Sequence, residues 1–334
     1  MTMNKIRTIL MGTPEFAERI FRKIYPELKS KGFDIIAVIT TEDKPIGRKQ
    51  ILTPPPIKKW AIENNLNVLQ PKKIGDPEWN RKIKELAPDL IILAAYGQII
   101  PREILDIPKF GALNIHPSLL PTYRGASPIQ AAILNGDKET GVTIILMDEE
   151  MDHGDIISNF KFLISNKITY KELEEKLAGA SADLLIKILP DWITGKIKPR
   201  EQDHSKATFC KIIKKEDGRI DWSKSAIEIE RQIRAFAKWP ESYTEIKSQK
   251  PALPASRLKV KNYSLKLKIL EAEVENKKTD HKIGEVFLDK NKNLCVQAGN
   301  GVLILKAVQL EGKKPMTAKD FLNGHPEIVG AILN

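Results

Sequence analysis

Cysteine is scarce: Cys210 and Cys295 are the only two in 334 residues. They form no CxxC pair and lie beside no pair of histidines, which argues against a disulfide framework or a zinc knot and fits a reducing cytosol. Aromatic residues make up only 6% of the chain, and no apolar run approaches the roughly 18 to 20 residues that a membrane span requires. Residues 1–11 carry basic side chains, but their apolar stretch is too short for a secretory signal and lacks a small-residue cleavage site, so they read as a first strand. GxGxxG is missing as well. The first turn, Gly12-Thr13-Pro14-Glu15, disfavours a dinucleotide on the first helix. Ser118 and Ser127 lack the GxSxG context of a serine hydrolase.

What is present is bulk and positive charge. Hydrophobic residues reach 42%, and the length exceeds what one core usually organises, so two domains are expected. The net charge of +11 is uneven: residues 1–207 hold 30 Lys and Arg against 27 Asp and Glu, residues 208–334 hold 24 against 16. An excess concentrated in the shorter part attracts a polyanion such as nucleic acid. Charge alone leaves open a compositional origin, since Lys is frequent throughout.

The first half alternates short β-branched runs ("IRTILMG", "FDIIAVIT", "DLIILAAYG") with amphipathic stretches of helical length. This rhythm implies right-handed crossovers and a mostly parallel, doubly wound sheet, a Rossmann-like α/β domain over residues 1–189. Thr169 and Glu172, in capping-box spacing, open a long helix to Leu189 that closes it. Residues 190–207 mix Pro, Gly and charge and are expected to be a linker. Residues 208–334 show one helix and several short alternating strands separated by Gly, Asn and Asp, which predicts a small OB-like barrel.

Asn114 and His116 stand two apart at the end of an apolar strand, so they face the same way. Ligands of open α/β sheets bind beyond such strand ends. With Asp152 of "LMDEEMDHGD" they make a chemically coherent set: an amide donor for a developing oxyanion, an imidazole for proton exchange and a carboxylate to fix the imidazole. That set suits acyl transfer to an amine, which supplies its own nucleophile. Each residue alone is more often a satisfied structural group. Asp152, His153 and Asp155 crowd together, but their spacing matches no zinc or calcium motif, and no metal is expected. Arg124 suits either an anion or a structural salt bridge. Residues 40–53 interrupt the α/β rhythm with Pro, Gly and three basic residues, a loop of functional length.

Residues 113–156, "LNIHPSLLPTYRGASPIQAAILNGDKETGVTIILMDEEMDHGDI", resemble the signature of folate-dependent formyltransferases. Asn-x-His, Ser-Leu-Leu-Pro-x-x-Arg-Gly and Asp-x-Gly-Asp stand in family order. "MGTPEFA" (11–17), "EDKPIGRKQILTPPPIK" (42–58) and "RIDWSKSAIEIERQIRAFAKWP" (219–240) resemble the branch that acts on a charged initiator tRNA. The resemblance is weakest over 248–278. It implies 10-formyltetrahydrofolate as formyl donor and the α-amino group of initiator methionyl-tRNA as acceptor. It also implies Asn114, His116 and Asp152 as the catalytic trio. By the same likeness Ser118, Leu119, Leu120 and Pro121, with Tyr96 and Gly97, stand against the folate, and Lys44, Arg48 and Lys49 against the tRNA, with the basic part after residue 207 as a second tRNA surface. The alternatives are the same transfer to a small amine, such as glycinamide ribonucleotide or an amino sugar nucleotide, and a non-catalytic RNA-binding module. No membrane association and no obligate protein partner are expected, and the chain is read as a cytoplasmic monomer.

Overall fold

A computed structural model describes residues 5–47, 49–248 and 263–333. Two compact units emerge: the first comprises Met1–Ile129, Lys138–Ile164 and Glu172–Lys211, the second Gln130–Asp137, Ser165–Lys171 and Ile212–Asn334. In chain order the first half contains β1 (Ile6–Gly12), α1 (Glu15–Ser30), β2 (Phe33–Ile39), β3 (Lys44–Ile46), β4 (Ile51–Thr53), α2 (Pro56–Glu63), β5 (Val68–Leu69), α3 (Pro77–Leu86), β6 (Leu90–Ala94), α4 (Arg102–Leu105), β7 (Ala112–His116) and β8 (Arg124–Gly125). There follow α5 (Pro128–Asn135), β9 (Glu139–Leu146), β10 (Ile156–Leu163), α6 (Tyr170–Ile193) and β11 (Phe209–Cys210).

Seven strands make one sheet in the order β10-β9-β7-β6-β1-β2-β5. From β5 to β7 neighbouring strands are parallel; β9 then pairs antiparallel with both β7 and β10. Strand β6, between β1 and β7 in the parallel part, is apolar and buried along its whole length, as a strand covered on both faces must be. Helix α1 shows how the sequence specifies its own placement. Glu15 and Glu18 in its first turn and Lys29 in its last complement the helix dipole, while Phe16, Ile20, Phe21, Ile24 and Leu28 recur at three- and four-residue spacing and are buried. Strand order reverses between β1 and β6, so the loops leaving β1, β6 and β7 gather at one edge of the sheet. Thr13 Oγ1, just after β1, donates to the carbonyl of Tyr96, just after β6, at 2.8 Å.

The 40–53 loop contains an antiparallel hairpin, Lys44 opposite Thr53 and Ile46 opposite Ile51. Its base is held at Asp43, whose carboxylate accepts from Lys58 Nζ and Gln70 Nε2, each at 2.8 Å. The expected linker differs more. Helix α6 continues past Pro190 to Ile193, and the residues after it pack on the first unit. Arg200 and Ile156 exchange backbone hydrogen bonds at 2.8 and 3.0 Å, Gln202 is buried, and β11 pairs with β8. An extended backbone can satisfy its polar groups on a strand edge whatever its side chains are, so a Pro- and charge-rich composition does not keep it in solvent.

The second unit holds α7 (Ala226–Ala235), β12 (Tyr243–Ser248), β13 (Tyr263–Glu275), β14 (Val286–Leu288), β15 (Leu294–Gln297), β16 (Val302–Leu310), β17 (Met316–Thr317) and α8 (Ala318–Gly324). Its sheet is antiparallel in the order β12-β13-β16-β15-β14, with β17 on β16. Irregularities in the β13–β16 register beside Glu271 bend the long strand β13, and the sheet curls. Among the described residues β12 and β14 do not pair, so the expected barrel is a half-barrel. Trp222, Ile229, Ile233, Leu267, Leu303 and Phe321 centre its core. Ser225 and Glu228 form a capping box at the start of α7. The Lys-rich "LKVK" at 258–261 lies outside the described residues, and no helix among the described residues is long and apolar enough to cross a membrane.

Candidate active site

Strand β7 sits between β6 and β9, with Asn114 opposite Leu93 on one side and Ile145 on the other, and His116 opposite Thr143. Both polar side chains are buried, 8% and 4% exposed. Burial there demands partners, and the loop between β9 and β10 delivers one. Asp152 Oδ1 accepts from Asn114 Nδ2 at 3.0 Å and lies 3.4 Å from His116 Nδ1; Oδ2 accepts from the Gly125 N–H at 2.8 Å. His116 Nε2 lies 2.9 Å from the Tyr123 carbonyl. A carbonyl only accepts, so this nitrogen carries a proton. The three sequence-predicted residues thus form one cluster.

Backbone geometry is irregular around them. Asp152 (φ +54°) and Tyr123 (φ +60°) are in the left-handed region that side chains with a Cβ avoid, a conformation that persists only where surroundings enforce it. Gly125 has φ +111°, and a Cβ there would stand 2.4 Å from the Cys210 carbonyl oxygen, so glycine is required where β8 meets β11.

Burial works against the charged form of the Asp152 carboxyl. The neighbouring His116, the Gly125 N–H and the Arg124 guanidinium favour that form and prevail, holding the carboxyl below its ordinary range. Asp152 is therefore ionised at neutral pH. Asn114 Nδ2 has two hydrogens, one of which is engaged by Asp152; the other remains to meet a ligand oxygen.

The loop after β7 is pinned from within. Thr143 Oγ1 donates to the Ser118 carbonyl at 2.7 Å and accepts from the Leu120 N–H at 3.0 Å, while Ser118 Oγ donates to the Thr122 carbonyl at 2.5 Å. Leu120 packs with Ile145 and Ile156, whereas Leu119 and Pro121 are half-buried. The Tyr96 ring is 1% exposed inside the sheet's core, and its hydroxyl has no partner among the described residues. Gly97, by contrast, is exposed. Lys44 and Lys49 are exposed on the hairpin; Arg48 lies outside the described residues. A cavity of about 740 Å³ lies against the 147–155 loop, touching Ala112, Met147, Asp148 and Gly154, with Leu105 and Trp192 farther along its wall. Ala112 is two residues before Asn114 on the same strand face, and the volume is in the range of small-molecule sites. The trio itself, Tyr96, Gly97 and the 118–121 loop do not line that cavity. Among the described residues no group of three or more His, Cys, Asp or Glu side chains is arranged to hold a metal ion.

Sequence reasoning missed the support behind Asp152. Arg124 and Gln202, each 4% exposed, bond through Arg124 Nη2 to Gln202 Oε1 at 2.8 Å, and Arg124 Nη2 also donates to His204 Nδ1 at 2.7 Å. His204 stacks on His153 with ring centroids 4.1 Å apart. The guanidinium of Arg124 thus hydrogen-bonds to two neutral side chains, Gln202 and His204. Nothing in "KPREQDHSKAT" marks one buried carboxamide among charged neighbours.

Residues 4–189 match the family described as Formyl transferase, and residues 212–326 match Formyl transferase, C-terminal domain. The chain belongs to the formyl transferase family. This formyl transferase is 39% identical to the methionyl-tRNA formyltransferase of Bacillus velezensis over 98% of its own length and 97% of the relative's. It is 40% identical to that of Caldicellulosiruptor saccharolyticus over 98% and 99%. Its fold is shared with an N-formyltransferase from Helicobacter canadensis solved with folinic acid and dTDP-3-aminofucose (TM-score 0.61, 20% identity, 90% of this chain and 99% of that one). It is shared too with HypX from Aquifex aeolicus in complex with tetrahydrofolic acid (TM-score 0.60, 17% identity, 97% and 48%).

Proposed function

We propose that this formyl transferase moves the formyl group of 10-formyltetrahydrofolate to the α-amino group of methionine esterified to initiator tRNA. The full-length similarity to methionyl-tRNA formyltransferases at 39 to 40% identity carries the choice of acceptor. The donor supplies a formyl carbon attached to a nitrogen that can leave. The chain's own residues do the rest. Asn114 turns its free N–H toward the formyl oxygen as that oxygen gains charge during attack by the amine. Asp152, ionised and held by Asn114 and Gly125, takes up the amine proton; His116 keeps the carboxylate charged and in place. The proton then passes to the departing nitrogen, so the carboxylate is restored.

In this reading Ser118, Leu119, Leu120, Pro121 and Gly97, with the backbone of Tyr96, meet the folate. Lys44, Arg48 and Lys49 meet tRNA phosphates. Residues 1–207 carry the chemistry, with 190–207 packed as part of the first unit, and the basic residues 208–334 add a second tRNA surface. The protein acts in the cytoplasm as a single copy. Incubation with 10-formyltetrahydrofolate and charged initiator tRNA tests the proposal: N-formylmethionyl-tRNA is expected. Transfer to an amino sugar nucleotide in its place would overturn the acceptor, and no transfer at all would overturn the reading.

A further inference from the structure

We propose that Gln202 is a positioning residue for formyl transfer, acting through Asp152 by locking together the two loops that hold that carboxylate; the inference rests on the activity proposed above. The side-chain amide is engaged at both ends. Its Oε1 accepts from Arg124 Nε at 3.2 Å and Nη2 at 2.8 Å, and its Nε2 lies 2.9, 2.9 and 2.7 Å from the carbonyl oxygens of Asp152, His153 and Gly154. A guanidinium only donates and carbonyls only accept, so the orientation of this amide is unambiguous.

Three successive carbonyls aimed at one point repel each other unless a donor occupies the focus, and here the first belongs to Asp152, itself held at φ +54°. The Gln202 NH₂ is that donor. Its oxygen fixes Arg124, whose neighbour Gly125 gives its N–H to Asp152 Oδ2. One side chain thus braces the backbone of Asp152 and, through Arg124, the loop that binds its carboxylate. Only a carboxamide offers an acceptor and a donor back to back: Glu would lose the donor, and Lys would oppose Arg124. Gln202 lies between the two segments, 4–189 and 212–326, that match the family descriptions.

The charged and titratable groups facing Asp152 are His116 from β7, Arg124 from β8 and Cys210 from β11. Gln202→Glu, Gln202→Met and Gln202→Ala in the full-length protein test the proposal by formylation kinetics across pH and by ¹³C titration of the Asp152 carboxyl. Misplacement by about an ångström costs on the order of 100-fold, so kcat is expected to fall about 10- to 100-fold in folded variants with KM for the tRNA little changed. The acid limb of the kcat profile and the Asp152 titration should both move to higher pH. A fall in kcat with neither moving, unchanged kcat, or loss of folding in all three variants would overturn the proposal. If the wild-type protein transfers no formyl group, that failure belongs to the activity reading. The Asp152 titration then decides the positioning alone: unmoved in the variants, it overturns the role of Gln202.

Discussion

The carboxamide nitrogen of Asn114 lies 3.0 Å from Oδ1 of Asp152, thirty-eight positions later in the chain. This bond aims the second N–H of Asn114. Asn114→Ala removes the donor offered to the formyl oxygen and leaves Asp152 its contacts with His116 and Gly125. Loss of one oxyanion donor costs about 10²- to 10³-fold in kcat, and that loss is expected here in steady-state formylation assays, with KM for the tRNA little changed.

Asp152 is expected to give a specific pH signature. Its carboxyl titrates lower in the folded protein than the ordinary value of 3.8. Such a group stabilises the fold fully above the unfolded value and loses that contribution as pH falls through the folded one. The difference in unfolding free energy between wild type and Asp152→Asn should be flat from neutral pH down to about 5 and shrink only below about 4. Denaturant titrations at a series of pH values check this, and a difference already shrinking near neutrality would contradict it.

The exposed hairpin should act through charge. Lys44→Ala, Arg48→Ala and Lys49→Ala are each expected to weaken tRNA binding, to flatten its dependence on log salt by about one unit of slope, and to leave folate binding intact. Binding isotherms at several salt concentrations provide the measurement. An unchanged slope in all three would remove the hairpin from the tRNA contact.

Tyr96→Phe is expected to preserve or raise stability. The hydroxyl is buried with no partner among the described residues, and burial pushes the phenol up. An unsatisfied buried polar group costs about 1 to 3 kcal/mol, so its removal should not lower Tm. A marked fall in Tm would mean that the hydroxyl is bound.

The doubly wound half was legible because β-branched runs and Gly or Pro turns carry their own period, and Asn114 and His116 could be put on one face because strand geometry fixes it. Asp152 was harder: it lies in a loop, and only the likeness of residues 113–156 to a known signature linked it to β7. Gln202 was not legible at all. Its burial depends on the pairing of Arg200 with Ile156, and hydropathy says nothing about backbone pairing. The curled antiparallel sheet of the second unit was legible from its short alternating strands; that β12 and β14 do not pair among the described residues was not, because local alternation does not encode closure.

The pairing of β11 with β8 bears on how this enzyme matures and how it may be dissected. A nascent chain that has emerged only to Leu189 contains all seven strands of the large sheet and the whole trio, yet lacks the rear brace of its catalytic loops. Competence should therefore arrive about twenty residues late, as the ribosome delivers Gln202 and Cys210. A fragment cut after Lys211 should retain an ordered centre that one cut at 189 loses.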